Sequence, residues 1–221
     1  MRDPLGRMSN INEVKIMAIQ NASKFRNSLL YMSLLVLNGG FALNPIKPID
    51  PPALRPIGDA TNWMLEEPMH YYVGNSRDHI VVPKGFVTDF ASVPGLLQSF
   101  ISMVGPQMLP AIVHDYLYWE QTCTRKQADS IFSLAMSEMR VPRRERKAMV
   151  NAVRIFGGTA WRTNRKERNS GLIRIVPAAD VRPPHALETW GEYRSFLRSA
   201  GTVSPPRSAI ENVFCLHGGQ S

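Results

Sequence analysis

The chain has 221 residues, 44% of them hydrophobic, and a net charge of +8. That is enough for one domain with a self-sufficient core plus tails, and it excludes a chain too polar to fold. The positive balance points to an anionic partner (a lipid surface, nucleic acid or another protein) or to a solvated basic face. Two cysteines, Cys123 and Cys215, exclude a metal cluster or a disulfide framework and leave a single bridge open.

Residues 1–20 carry no firm pattern. Lys24-Phe25-Arg26 then precedes an apolar run over 28–37, followed by Gly39-Gly40-Phe41-Ala42. A basic flank, a short apolar run and a small-residue end form a secretory signal pattern, with Gly40 and Ala42 before the cut and Met17 as an alternative start. The run is short for a membrane span, and a buried or amphipathic helix is the competing reading. A signal or anchor at 28–42 implies the cell envelope or secretion; otherwise the chain is cytoplasmic. Residues 44–56 hold Pro45, Pro48, Pro51, Pro52 and Pro56 and read as an extended linker, so the domain is expected to begin at Gly58. The expected division is 1–57 as N-terminal segment, 58–161 as core domain, and 162–221 as a basic, largely irregular tail.

Residues 62–67, 70–73 and 79–82 alternate as short strands, parted by Pro68 and Gly74-Asn75-Ser76. Pro83-Lys84-Gly85 is a turn. The loop after it, Phe86 to Gly95, sets Thr88, Asp89 and Ser92 between aromatic and proline anchors, a composition suited to a shaped site loop. Gly105-Pro106 opens a helix with apolar residues at Leu109, Ile112, Val113, Tyr116 and Leu117, ending near Trp119-Glu120. Thr124 caps a second helix, with Gln127 completing a capping box and Ile131, Phe132, Ala135, Met136 and Met139 as its buried face. Pro142 starts a third, expected to run to about Phe156, where Gly157-Gly158 weakens or ends it. A short helix is expected near 187–197, and residues from 201 on are expected to be irregular. The fold class is α+β: a small antiparallel sheet or hairpins, then a three-helix unit, with flexible terminal segments.

The chemistry concentrates in the first helix. His114 and Asp115 sit inside an apolar run, where an unpaired charge is expensive. Tyr118 shares the face of His114, while Asp115 is turned by about 100° from it. A short connection makes the first two helices antiparallel, which sets Asp129 across from His114. A histidine oriented by a carboxylate is a general base, and a further carboxylate with loop oxygens suits a hard cation such as calcium. The competing reading is a structural hydrogen-bond network. Asp89, with Thr88 and Ser92, offers cation ligands or a substrate clamp, or else an Asx-type turn. His70 and His79 read as strand residues with solvent-facing or cross-strand roles rather than as zinc ligands. Cys123 has no base near it in sequence but His114. Arg143-Arg144-Glu145-Arg146-Lys147 can meet phosphates or only solvent; at a helix start it opposes the dipole, so helix stability does not explain it.

The stretch from Val82 to Pro94, then His114-Asp115-Tyr116-Leu117-Tyr118, Arg125, Ala128-Asp129, Phe132, Val153-Arg154 and Gly157, resembles a phage-associated family, domain of unknown function 1353, over about residues 62–161. That family name supplies no activity, but it implies a phage or host component as partner and adds association with a virion to the possible locations. More locally, His114, Asp115 and Tyr118 resemble the helix of secreted phospholipase A2 enzymes. That resemblance implies His114 as the base that activates water, Asp129 as its orienting partner, and Asp115 with Asp89 as calcium ligands. Leu117 stands where those enzymes have a cysteine, and their glycine-rich calcium loop and disulfide pairs are missing here. The expected function is hydrolysis of a phospholipid or other ester, with His114, Asp129 and Tyr118 catalytic, Asp89 and Asp115 on a metal, and Thr88 and Ser92 on substrate. The alternatives are a non-catalytic phage or prophage protein, structural or host-interacting, and a nucleic-acid binder using the basic third helix. The sequence leaves the oligomeric state open.

Overall fold

Short alternating runs broken by proline and glycine can make only short strands, and five of these precede the helices. The computed structural model describes residues 50–90, 105–177, 182–207 and 213–217, all within the compact unit Pro45–Ser221. Strand β1 (Leu54–Pro56) pairs antiparallel with β2 (Trp63–Leu65), which pairs in turn with β5 (Val87–Thr88). A separate hairpin joins β3 (Met69–Tyr72) to β4 (His79–Val82), with Met69 opposite Val82 and Tyr72 opposite His79. Five helices follow among the described residues: α1 (Met108–Glu120), α2 (Arg125–Glu138), α3 (Arg143–Asn169), α4 (Trp190–Ser199) and α5 (Val213–His217). The fold is α+β, small antiparallel sheets followed by helices.

The period of two in a strand decides where each layer packs. Leu65 and Phe86 point to the main core, where they join Met69, Ile80 and Val82 of the hairpin, Ile112 and Leu117 of α1, and Ile131, Phe132 and Met136 of α2. Their neighbours Met64 and Val87 point the other way. There they meet Ile57, Ile173, Val176, Trp190, Tyr193 and Leu197 in a second apolar cluster. The three-stranded sheet is therefore covered on both faces, and its second cover is supplied by the chain after 161.

That second cluster corrects three expectations. Residues 44–56 do not stay a linker to their end, because Leu54–Pro56 is the edge strand and Ile57 is buried. The third helix does not stop at Gly157-Gly158; it continues unbroken to Asn169. The stretch from 162 on is not largely irregular where it is described. It holds the last two turns of α3, a bridge from Ile175 to Phe86, and α4 with its own capping box of Thr189 and Glu192. A basic and proline-rich composition concealed this, because the segment supplies few but large apolar residues to a sheet already in place. The apolar run at 28–42 lies outside the described residues. Within them, no helix is long and apolar enough to cross a membrane.

The turn after β4 depends on one glycine. Gly85 has φ +80, donates to Leu65 O at 2.8 Å and accepts from Val176 N at 2.9 Å. A Cβ there would collide with the Val176 carbonyl, so only glycine lets the segment at 173–176 close onto the sheet.

Cys123 and Cys215 form a disulfide, Cα–Cα 5.5 Å, that ties α5 to the turn between α1 and α2. The bridge closes a loop across a sequence separation of 92. Such closure restricts the unfolded chain, typically by about 2–4 kcal/mol. Thermal melts with and without reductant should show a lower transition after reduction. Thiol titration of the unreduced, denatured chain should find no free cysteine.

Candidate functional site: a buried histidine–aspartate pair in a cleft

Helix α1 is apolar on nearly every side, which is why it lies inside the molecule. Pro110 falls in its first turn, where a missing N–H costs little. Gln121, in a left-handed conformation at φ 53, ends it. The helix thereby carries His114, Asp115 and Tyr118 into the interior, where each must find a partner. Helix α2 starts at the Thr124 capping box, as its spacing predicts, and turns back along α1 so that Asp129 faces His114.

The Asp129 carboxylate gathers three donors. Oδ1 lies 3.1 Å from His114 Nε2 and accepts from the Tyr118 hydroxyl at 2.6 Å; Oδ2 accepts from Arg125 Nη1 at 3.0 Å. Arg125, one turn before Asp129 on α2, also donates to the Val153 carbonyl at 3.3 Å and so reaches α3. An ionised carboxylate accepts only, so the proton between the pair belongs to His114 Nε2. Nδ1 is then the basic nitrogen, and among the described residues it has no hydrogen-bond partner. The ring is 3% exposed and packs at a tilt against Tyr118, centroids 4.1 Å apart, and Phe132, 4.5 Å apart. Burial lowers the His114 pKa from its usual 6.5; Asp129 opposes this and Arg125 adds to it. The imidazole is neutral at pH 7, the form a base requires. Burial and Asp129 both raise the Tyr118 pKa, which keeps its phenol a donor.

His114, Asp115, Tyr118 and Asp89 line one cleft of about 700 Å³. One wall is α3, apolar through Ala152, Val153, Phe156 and Ala160. The other is polar. Arg174 donates to Val87 O at 3.0 Å and to Asn164 Oδ1 at 3.1 Å, and pairs with Asp89 at 3.3 Å. Arg194 donates to Ile173 O and to Glu167 Oε2, both at 2.8 Å. The cleft is of small-molecule size, with an apolar side and a few fixed charges.

The expected residues are distributed as follows. His114, Tyr118 and Asp129 are brought together, and Asp89 and Asp115 reach the same cleft. Thr88 does not line it: fully buried, it donates to Asp115 Oδ2 at 2.5 Å and accepts from Phe90 N at 3.0 Å. It positions Asp115 rather than meeting substrate. Ser92 lies outside the described residues. The donors do not fit calcium as arranged. Asp115 is engaged by Thr88, Asp89 faces the Arg174 guanidinium, and no group of three or more His, Cys, Asp or Glu side chains among the described residues is placed to hold a metal ion. Calcium asks for six to eight oxygens, and the Arg174 guanidinium already competes for one of the two carboxylates.

Two contributors, Arg174 and Arg194, escape a reading by motif, and two more, Arg125 and Gly157, enter it only as part of the family resemblance, without the roles seen here. Arg125 was detectable, since Arg and Asp four apart on a helix share a face. Arg174 and Arg194 carry no local signal. Gly157 reads as a helix stop and is instead a vacancy: a Cβ there would strike the Tyr118 hydroxyl.

With this geometry in view, comparison with known proteins adds one finding. Residues 63–153 match the family described as "Protein of unknown function (DUF1353)". No curated protein and no solved structure matches the chain. The matched DUF1353 stretch contains His114, Asp115, Tyr118, Arg125 and Asp129. Phe156, Asn164, Arg174 and Arg194 of the cleft lie beyond it.

Two expectations follow. Gly157→Ala should destabilise by about 1–3 kcal/mol through overpacking against Tyr118. Gly158→Ala, whose Cβ meets only the Arg162 tip at 3.6 Å, should gain up to about 1 kcal/mol of helix propensity. Chemical denaturation of the two variants compares the neighbours directly. Second, a histidine pKa lowered by folding means the unfolded chain binds the extra proton first. The stability due to neutral His114 is therefore full above 6.5 and is lost as pH falls below that value toward the folded pKa. Melts across this range should show acid destabilisation that is weaker in His114→Gln.

Proposed function

We propose that the cleft hydrolyses an ester, with His114 as general base. Asp129 holds the imidazole through Nε2 while the ring lines the cleft; this single observation carries the reading. Nδ1 takes a proton from water as the water oxygen attacks the ester carbonyl. The Asp129 carboxylate stabilises the resulting imidazolium. The tetrahedral intermediate then collapses, and the imidazolium returns its proton to the leaving alkoxide, giving acid and alcohol. Arg174 and Arg194 place positive charge along the cleft while negative charge develops on the carbonyl oxygen. The apolar wall of α3 favours an ester with an acyl chain, and a phospholipid combines such a chain with an anionic head. No step is assigned to calcium, because the Asp89–Asp115 donor set does not suit it.

A second reading has one observation in its favour. His114 is 3% exposed and clasped between two rings, as suits a purely structural partner of Asp129 in a non-catalytic phage or host-interaction protein. The two readings separate in one experiment. Wild type, His114→Ala and Asp129→Asn are assayed on a soluble short-chain ester and on phospholipid vesicles, with calcium or a chelator, and are melted in parallel. General-base loss should lower turnover by His114→Ala about 10²–10⁴-fold. Asp129→Asn should lower it less, and chelation should leave it unchanged. Absence of turnover by wild type, with a loss of about 1–3 kcal/mol in His114→Ala from stranding Asp129, would establish the structural reading instead.

A further inference from the structure

Helix α3 carries no carboxylate between Glu145 and Glu167. Along its outer face Lys147, Arg154, Arg162, Arg165 and Lys166 are all exposed, at spacings that keep most of them on one side. Among the described residues none of the five pairs with a carboxylate. Arg165 donates to Gln121 and Arg162 to Thr159, both neutral acceptors. From Lys147 to Lys166 the helix rises about 30 Å, so this is an extended cationic ridge and not a point. Ile155, 71% exposed, stands among these cations, and Phe156, 51% exposed, lies on the flank toward the cleft. Phe156, Thr159 and Thr163 also line the cleft, so its opening adjoins the ridge.

We infer that this ridge docks on an anionic lipid bilayer, with Lys147, Arg154, Arg162, Arg165 and Lys166 against headgroup phosphates and Ile155 entering the acyl boundary. Charge complementarity calls for an anionic surface, and a second copy of the same ridge would be repelled. The aliphatic Ile155 decides between anionic surfaces: it gains by leaving water for hydrocarbon, whereas a nucleic-acid backbone offers it nothing. Docking in this orientation brings lipid to the cleft opening, and in that respect the inference rests on the ester-hydrolysis reading and names how its substrate is presented.

Binding is tested apart from turnover. The full chain carrying His114→Ala is co-sedimented with phosphatidylcholine vesicles, with and without phosphatidylglycerol, at low and high salt. Binding should require phosphatidylglycerol and weaken with salt. Arg154→Gln and Arg162→Gln should each weaken it about fivefold, and Ile155→Asp should weaken it without lowering the melting temperature. Vesicle binding unchanged by these three substitutions would place the contact elsewhere and overturn the inference. Tighter binding to a DNA duplex at the same salt, weakened by the arginine variants but not by Ile155→Asp, would overturn it in favour of nucleic acid. Turnover of a soluble ester without vesicle binding defeats only this inference; vesicle binding without turnover by wild type defeats only the ester reading.

Discussion

A carboxylate 5% exposed among packed helices is tolerable only when its lone pairs are used, and Asp129 uses them on His114, Tyr118 and Arg125. These donors fix the register of α2 against α1, and Arg125 carries the restraint to α3 through the Val153 carbonyl. Helices α1, α2 and α3, the first and third of which line the cleft, are thus aligned by one charged group. Removing one partner of such a group strands a buried charge, which is far costlier than the intact arrangement is stabilising. The same alignment holds the His114 ring against the cleft, so architecture and candidate chemistry draw on one interaction.

The sheet is tied to this centre by two polar links. Thr88, on the last strand, reaches Asp115 on α1. Arg174 runs along the same strand, bonded to the Val87 carbonyl, and turns its guanidinium to Asp89 and Asn164. Neither link is a surface ion pair of small worth; each joins separate layers through partly or wholly buried atoms. The polar wall of the cleft is consequently as fixed as the apolar one, and the cleft needs little rearrangement to receive a ligand.

What the sequence reveals depends on how local the cause is. The capping box at Thr124, the apolar stripe of α2 and the strands around Met69 and Ile80 are set by spacing within a few residues, and all are found where that spacing puts them. The approach of Asp129 to His114 also follows from a short connection between helices. The passage of α3 through Gly157-Gly158 does not follow, because the vacancy is demanded by Tyr118 from another helix. The strand at Leu54–Pro56 is concealed by its prolines, which an edge position tolerates. Arg174 and Arg194 reach the cleft only because Met64 and Val87 need covering, a requirement visible once the sheet exists and not before.

The division of the cleft between stretches of chain has a consequence for how such a molecule changes. Every residue holding the imidazole lies between 63 and 153, and most of the surface facing it comes later, from Phe156 to Arg194. The buried histidine and the mould around it are therefore encoded separately, with Gly85 fastening the later stretch near Val176 to the sheet. Replacement of the later stretch would recast the shape and charge of the cleft while leaving the His114–Asp129 pair intact.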